Sequence, residues 1–72
     1  MNLHQLPIGQ KASVALVKEG PLQVALIELG FIPNKVVEVL FSAPFKGPLA
    51  VIVNQTVLSM RREEAEQIEV VL

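Results

Sequence analysis

The sequence contains no cysteine, no tryptophan and no tyrosine, and its single histidine is His4. Without thiols there is neither a disulfide framework nor a thiolate metal site. That composition fits a reducing compartment. One imidazole near an end of the chain does not supply the three or four converging ligands that a stable metal site needs. His4 is therefore expected to be a solvated surface residue. Ser13, Ser42, Thr56 and Ser59 have no GxSxG context and only a distant His4 as a base, which argues against a Ser/His/Asp site. Gly9, Gly20, Gly30 and Gly47 stand alone and form no phosphate cradle. Nothing supplies a nucleophile with its base, or paired acids in a cleft, so no catalytic activity is expected.

Charge of one sign is also missing. There are 6 basic and 7 acidic residues, for a net charge of −1. No basic stripe is available to follow a phosphate backbone, and nucleic acid is not an expected partner. The N-terminus has no basic start followed by an apolar run, so no signal peptide is expected. The longest apolar run falls well short of the roughly 20 residues of a membrane helix. These absences describe a cytoplasmic, soluble chain. The 72 residues make one small domain, with no repeat, low-complexity tract or linker.

What the chain has is aliphatic side chains. It is 51% hydrophobic, with eleven Val, ten Leu and five Ile against three Phe. A domain this short usually needs help from disulfides, a metal or a partner. The lead-in "LHQLPIG" places Leu3 and Leu6 on one face of a helical turn that Pro7 and Gly9 end. "KASVALV" alternates as a strand, with Val14 and Leu16 inward, Ser13 and Ala15 outward, and Val17 ambiguous. "GPLQVALIELG" carries helix punctuation: Gly20 as N-cap, Pro21 at the first helical position, and Gly30 in the left-handed position past the end. Helical spacing puts Leu22, Ala25, Leu26 and Leu29 on one apolar face. Val24 and Ile27 then point away from it, where solvated residues belong.

"FIPNK" reads as a turn on Pro33 and Asn34, since proline presets its φ and asparagine tolerates positive φ. "VVEVLFS" alternates again, with Val37, Val39 and Phe41 inward and Val36, Glu38 and Leu40 outward. "APFKGP" is a loop bracketed by Pro44 and Pro48. "LAVIV" places Leu49, Val51 and Val53 on one face and Ile52 on the other. Asn54-Gln55 forms a two-residue hairpin turn, and "TVLSM" returns with Leu58 and Met60 inward. "RREEAEQ" is one or two helical turns with an Arg62/Glu66 pair at i,i+4. "IEVV" closes the chain with Ile68 and Val70 inward. The expected fold is mainly β: five short strands, one helix between the first two, and a helical turn before the last. Five strands cannot fill two sheets well, so a small barrel that closes its edges is the better architecture.

The order of these motifs resembles the ferrous iron transport protein A family (FeoA). The likeness lies in "LIELGFIPNKVVEVLFSAPFKGPLAVIV" and "LSMRREEAEQIEV". It is carried by Leu26, Leu29, Gly30, Pro33, Val37, Val39, Ala43, Pro44, Leu58, Ser59, Met60, Arg61, Glu64, Ala65, Ile68 and Val70. Leu3, Leu6 and Gly9 match the family's leader. The chain departs from the pattern at Asn34 and Gln55, where the family usually has glycine. It also has no Lys or Arg between Pro21 and Gly30, where the family's helix is often basic.

The resemblance implies an SH3-like barrel and a non-catalytic role in Fe²⁺ uptake beside the membrane transporter FeoB, whose cytosolic part carries a GTPase domain. Contact with the membrane would then run only through FeoB. The resemblance also implies self-association or transition-metal binding (Fe, Zn or Mn) in some members. No cofactor is required and no residue here is assigned to a metal, which would more readily bridge two copies. The expected contact surface is Val24, Ile27 and Glu28 on the helix, with Leu40 and Ile52 on the strands. The alternative is a metal-sensing SH3-like regulatory domain, related to those of metal-dependent repressors. A peptide-binding SH3 domain proper is excluded, because proline-rich ligands dock on aromatic grooves and this chain has no Tyr or Trp.

Overall fold

The computed structural model describes all 72 residues. Five strands form one antiparallel sheet in the order β4-β3-β2-β1-β5. They are β1 (Lys11–Val17), β2 (Val36–Ser42), β3 (Leu49–Val53), β4 (Thr56–Met60) and β5 (Ile68–Val71). Helix α1 (Gln23–Glu28) lies between β1 and β2, and α2 (Arg62–Ala65) between β4 and β5. The element count and order are those expected from the residue pattern.

Sixteen buried side chains form one cluster, all apolar. Strict alternation builds most of it. Leu49, Val51 and Val53 of β3 point in, as do Val37 and Val39 of β2 and Ile68 and Val70 of β5. Branched side chains suit a pleated, half-buried surface, which is why a valine-rich chain can form short strands. Leu3 and Leu6 are also buried. They arrive on a 3-10 turn (Leu3–Gln5) capped reciprocally: Gln5 N–H donates to Asn2 Oδ1 at 3.2 Å and Asn2 N–H to Gln5 Oε1 at 2.9 Å.

The edges of the sheet are treated differently from the expectation. End strands β4 and β5 do not pair with each other. Helix α2 connects them, with Ala65 fully buried, and the 3-10 turn packs on α2 and β5. The outer edge of β5 is partly covered by the N-terminus: Val70 N–H donates to the Met1 carbonyl at 2.8 Å, and Asn2 bridges Glu69. A helix and an extra stretch of chain do here what strand pairing does in a closed barrel.

Two strand assignments are corrected. Leu16 is exposed rather than inward, and Val17 is buried in its place. Phe41 is also exposed rather than inward. Both inversions have one cause. The register slips between Val14 and Leu16 against β5, and between Val39 and Phe41 against β3. One extra residue in a strand hands every later side chain to the other face.

The helix is corrected at its start. It begins at Gln23, with Leu22 at the N-cap and no side-chain cap. Gly20 and Pro21 form the turn before it, where Gln23 N–H donates to the Gly20 carbonyl at 3.2 Å. Such a short helix lays only a narrow stripe on the barrel. Leu26 is buried and Leu22 packs at the rim, whereas Ala25 and Leu29 are exposed. Its end matches the expectation. Gly30 N–H donates to Ile27 O at 3.0 Å and Phe31 N–H to Leu26 O at 3.2 Å, the paired bonds of a Schellman motif. Gly30 has φ +114°, a region that glycine enters without a Cβ penalty.

The turn residues behave as their chemistry requires. Lys35 N–H donates to Ile32 O at 3.1 Å across Pro33 and Asn34, and Asn34 has φ 76°. This is the type II pattern with proline first and asparagine second. At the β3–β4 hairpin, Asn54 and Gln55 both have positive φ, 51° and 64°. Asparagine tolerates that region, but glutamine does not gain the same local hydrogen bonding. Relief of a left-handed residue is worth about 1–2 kcal/mol, offset in part by the entropy of an added glycine. Gln55→Gly is therefore expected to raise stability by about 0.5–1 kcal/mol, read as a higher urea midpoint. A lower midpoint would show that the turn is not strained.

Candidate partner-binding surface

Helix α1 turns an apolar side to water. Leu22 and Leu26 face the barrel, so helical geometry sends Val24, Ile27 and Glu28 the opposite way. Val24 is 67% exposed and Ile27 is 41% exposed. Ala25 and Leu29, expected indoors, are exposed on its flank. The lead-in does not cover this surface, because its leucines are committed to the core near α2 and β5. Glu28 is the only charged residue on α1.

The second part of the expected surface lies on the sheet. Ile52 is on the outer face of β3, half-buried, and pairs across to Val57 of β4. Leu40 is exposed at the bulge of β2. The bulge adds Phe41, which pairs with Ala50, the outward residue next along β3. Cross-strand partners share a face, so Ile52 lies between Glu38 and Val57 on the outer face, with Phe41 and Ala50 next along and Leu40 unpaired at the bulge. Phe41 and Val57 were missed from sequence. Val57 could have been found from its alternation with Leu58, whereas Phe41 depends on a bulge that no local signal marks.

The structure thus groups the five expected contact residues into two sets. Val24, Ile27 and Glu28 share α1, which packs on β1. Leu40 and Ile52 share the outer face of β2 and β3. The expected turn residues Gly20, Pro21, Gly30, Pro33, Asn34 and Asn54 all lie in connections around α1 and the β3–β4 hairpin. An ideal Cβ at Gly30 would lie 3.4 Å from the Asn54 Cβ, so the end of α1 sits directly on that hairpin.

Electrostatics contribute little here. The ion pairs are Lys18–Glu69 at 3.5 Å, the N-terminal amine–Glu69 at 3.7 Å and Arg62–Glu66 at 3.7 Å. All are partly exposed to solvent, where such a pair is worth about 0–1 kcal/mol. No group of three His, Cys, Asp or Glu side chains converges to hold a metal ion. His4 stands partly exposed in the 3-10 turn. The donors of one chain do not fit a transition-metal site, which asks for three or four of them. No helix is long and apolar enough to cross a membrane.

The sequence profile of the FeoA domain family matches residues 1–72. Over 73 aligned residues the chain is 33% identical to the Fe(2+) transport protein A/Fe(2+) transporter FeoB fusion protein of Porphyromonas gingivalis. That alignment covers 100% of this chain, which spans only 9% of the fusion protein's length. The solution structure of FeoA from Chlorobium tepidum is 37% identical with a TM-score of 0.88, over 100% of this chain and 70% of that one. The zinc-complexed FeoA of Stenotrophomonas maltophilia, a prokaryotic SH3 domain protein, is 31% identical with a TM-score of 0.87. It aligns over 97% of this chain and 88% of its own. The five-stranded antiparallel sheet is thus SH3-like.

Proposed function

The chain belongs to the FeoA domain family, and from that membership we propose that it is a non-catalytic accessory of ferrous iron uptake, acting on the cytoplasmic side by contact with FeoB and its GTPase region. Two things support this reading. In the Porphyromonas relative, a matching segment and the transporter are parts of one fusion protein. A domain joined to its partner in one chain keeps a high effective concentration beside it, so a modest surface is sufficient for contact. The second support is the observation that carries the proposal: Val24 and Ile27 stand exposed, side by side on a helix whose other side is already packed.

The proposed docking surface is the outward side of α1, Val24, Ile27 and Glu28, with Leu40 and Ile52 on the sheet as a second contact. A desolvated aliphatic pair contributes through burial, at roughly 25 cal/mol per Å². The helix lacks Lys and Arg, so the contact does not depend on positive charge from α1 and is expected to resist added salt. Regulation of GTP hydrolysis and assembly of the transporter are both open to a module of this kind. The metal-sensing alternative is not adopted, because the ligand set it needs does not converge within one chain.

Co-purification tests the proposal. The full chain is expected to associate with its cognate FeoB in a lipid environment. Failure to associate both with and without guanine nucleotide would remove the proposal.

A further inference from the structure

The β2–β3 hairpin ends in an unusual tip. Ala43 N–H donates to Pro48 O at 3.0 Å and Gly47 N–H to Pro44 O at 3.2 Å, closing a tight turn. Its two central residues, Phe45 and Lys46, have φ 58° and 59°. Turns with two positive φ values favour Asn-Gly, and a bulky side chain there is an outlier. The tip is also drawn hard onto its own base. A Cβ at Gly47 would lie 2.8 Å from the Ala43 Cβ. Pro44 and Pro48 fix the approach on both sides.

This rigid turn holds Phe45 away from the barrel. Phe45 is 99% exposed, more than any other large apolar side chain in the protein. Its neighbour Lys46 lines an open cleft of about 470 Å³, with Arg61 and Arg62 across from it. Three of the six basic residues line this cleft with two of the seven acidic ones, so its lining carries a net charge of +1 (3 − 2) in a chain whose net charge is −1. Glu63 and Glu64 also line the cleft. Glu64 Oε1 accepts from the Arg61 amide at 2.7 Å, and Arg62 pairs with Glu66. Lys46 and Arg61 have no ion-pair partner.

We propose that the Phe45–Lys46 tip touches an anionic lipid surface, with Phe45 entering the headgroup region and Lys46 and Arg61 facing lipid phosphates. A convex apolar ring beside unpaired cations suits the interface of a bilayer, where exposed Phe and Leu side chains of surface-bound segments bury and basic groups meet negative lipids. One ring and two cations give weak, reversible binding, which becomes useful when a partner already holds the domain beside the membrane. This inference goes beyond the FeoB contact, and departs from the expectation that the membrane is met only through that partner.

The absence of tryptophan makes a clean test available. In Phe45→Trp the new side chain is the only indole, and a residue this exposed can be exchanged without repacking the core. Its fluorescence is expected to shift to the blue with phosphatidylglycerol vesicles and to stay unchanged with phosphatidylcholine vesicles. Lys46→Gln or Arg61→Gln in that background should each lower the partition about five-fold, and Val24→Trp should stay in water. No shift at high lipid, or an equal shift at position 24, overturns the proposal. So does a shift that appears only with lipid-free FeoB, which would mean a protein pocket receives the ring. None of these vesicle outcomes bears on FeoB co-purification, so the two readings fail separately.

Discussion

Phe31→Ala is expected to leave much of the protein unfolded at room temperature. Phe31 is fully buried and is the only phenylalanine in a core otherwise made of Val, Leu, Ile, Ala and Met. It follows Gly30 at the end of α1, and its amide bonds back to the Leu26 carbonyl. Its ring therefore joins the helix end to the barrel interior. Truncating a buried phenylalanine to alanine costs about 3–5 kcal/mol. Domains have only about 0.05–0.15 kcal/mol of stability per residue, or roughly 4–11 kcal/mol for this length. The loss is comparable to the whole. Phe31→Leu keeps most of the volume and should cost far less, while Phe45→Ala at the exposed tip should cost almost nothing. Urea denaturation of the three variants checks the ranking. Phe31→Ala within about 1 kcal/mol of wild type, against the 3–5 expected, would mean that the ring is not part of the core.

Ile27→Glu is expected to abolish most of the association with FeoB while leaving the fold intact. Ile27 is 41% exposed, and the helix meets the barrel through buried Leu26 and half-buried Leu22. A surface substitution of this kind usually changes stability by no more than about 0.5 kcal/mol. At an interface the same change places a carboxylate in a desolvated apolar contact beside Glu28. Anchors of that kind cost about 2 kcal/mol or more, which is more than a ten-fold loss of affinity. The readouts are the thermal midpoint of the isolated chain and its binding to FeoB, compared with wild type. An unchanged affinity would move the docking surface to the sheet, where Leu40, Phe41 and Val57 are the exposed apolar side chains.

Much of the fold was legible because short-range chemistry and long-range packing agree. In β3, strict alternation of Leu49, Val51 and Val53 with Ala50 and Ile52 matches burial residue by residue. Gly30, Pro33 and Asn34 carry backbone requirements that few other residues meet, so they mark the end of α1 and the turn after it. Legibility fails where the two-residue period is broken from outside the strand. The bulges opposite β5 and β3 arise from how neighbours fit, and nothing near Leu16 or Phe41 announces them. Phe31 was hidden for a related reason: it sits in a turn by sequence and in the core by packing.

The candidate surface was legible in part. Helical spacing sent Val24 and Ile27 outward, as observed. It could not show how short α1 is, and so placed Ala25 and Leu29 indoors. The hairpin "APFKGP" was bounded correctly by its prolines. That Phe45 is held in water by two positive φ values is a property of backbone closure, and glycine, the usual sign of such a turn, is absent from its two central positions.

The most direct measurement is an amide NMR titration of the labelled chain with the cytosolic part of FeoB. The largest shifts should map to residues 23–28 of α1, with a smaller set near Leu40 and Ile52. Shifts confined to other surfaces while α1 stays unchanged would contradict the account, because the helix would then be exposed for no contact at all.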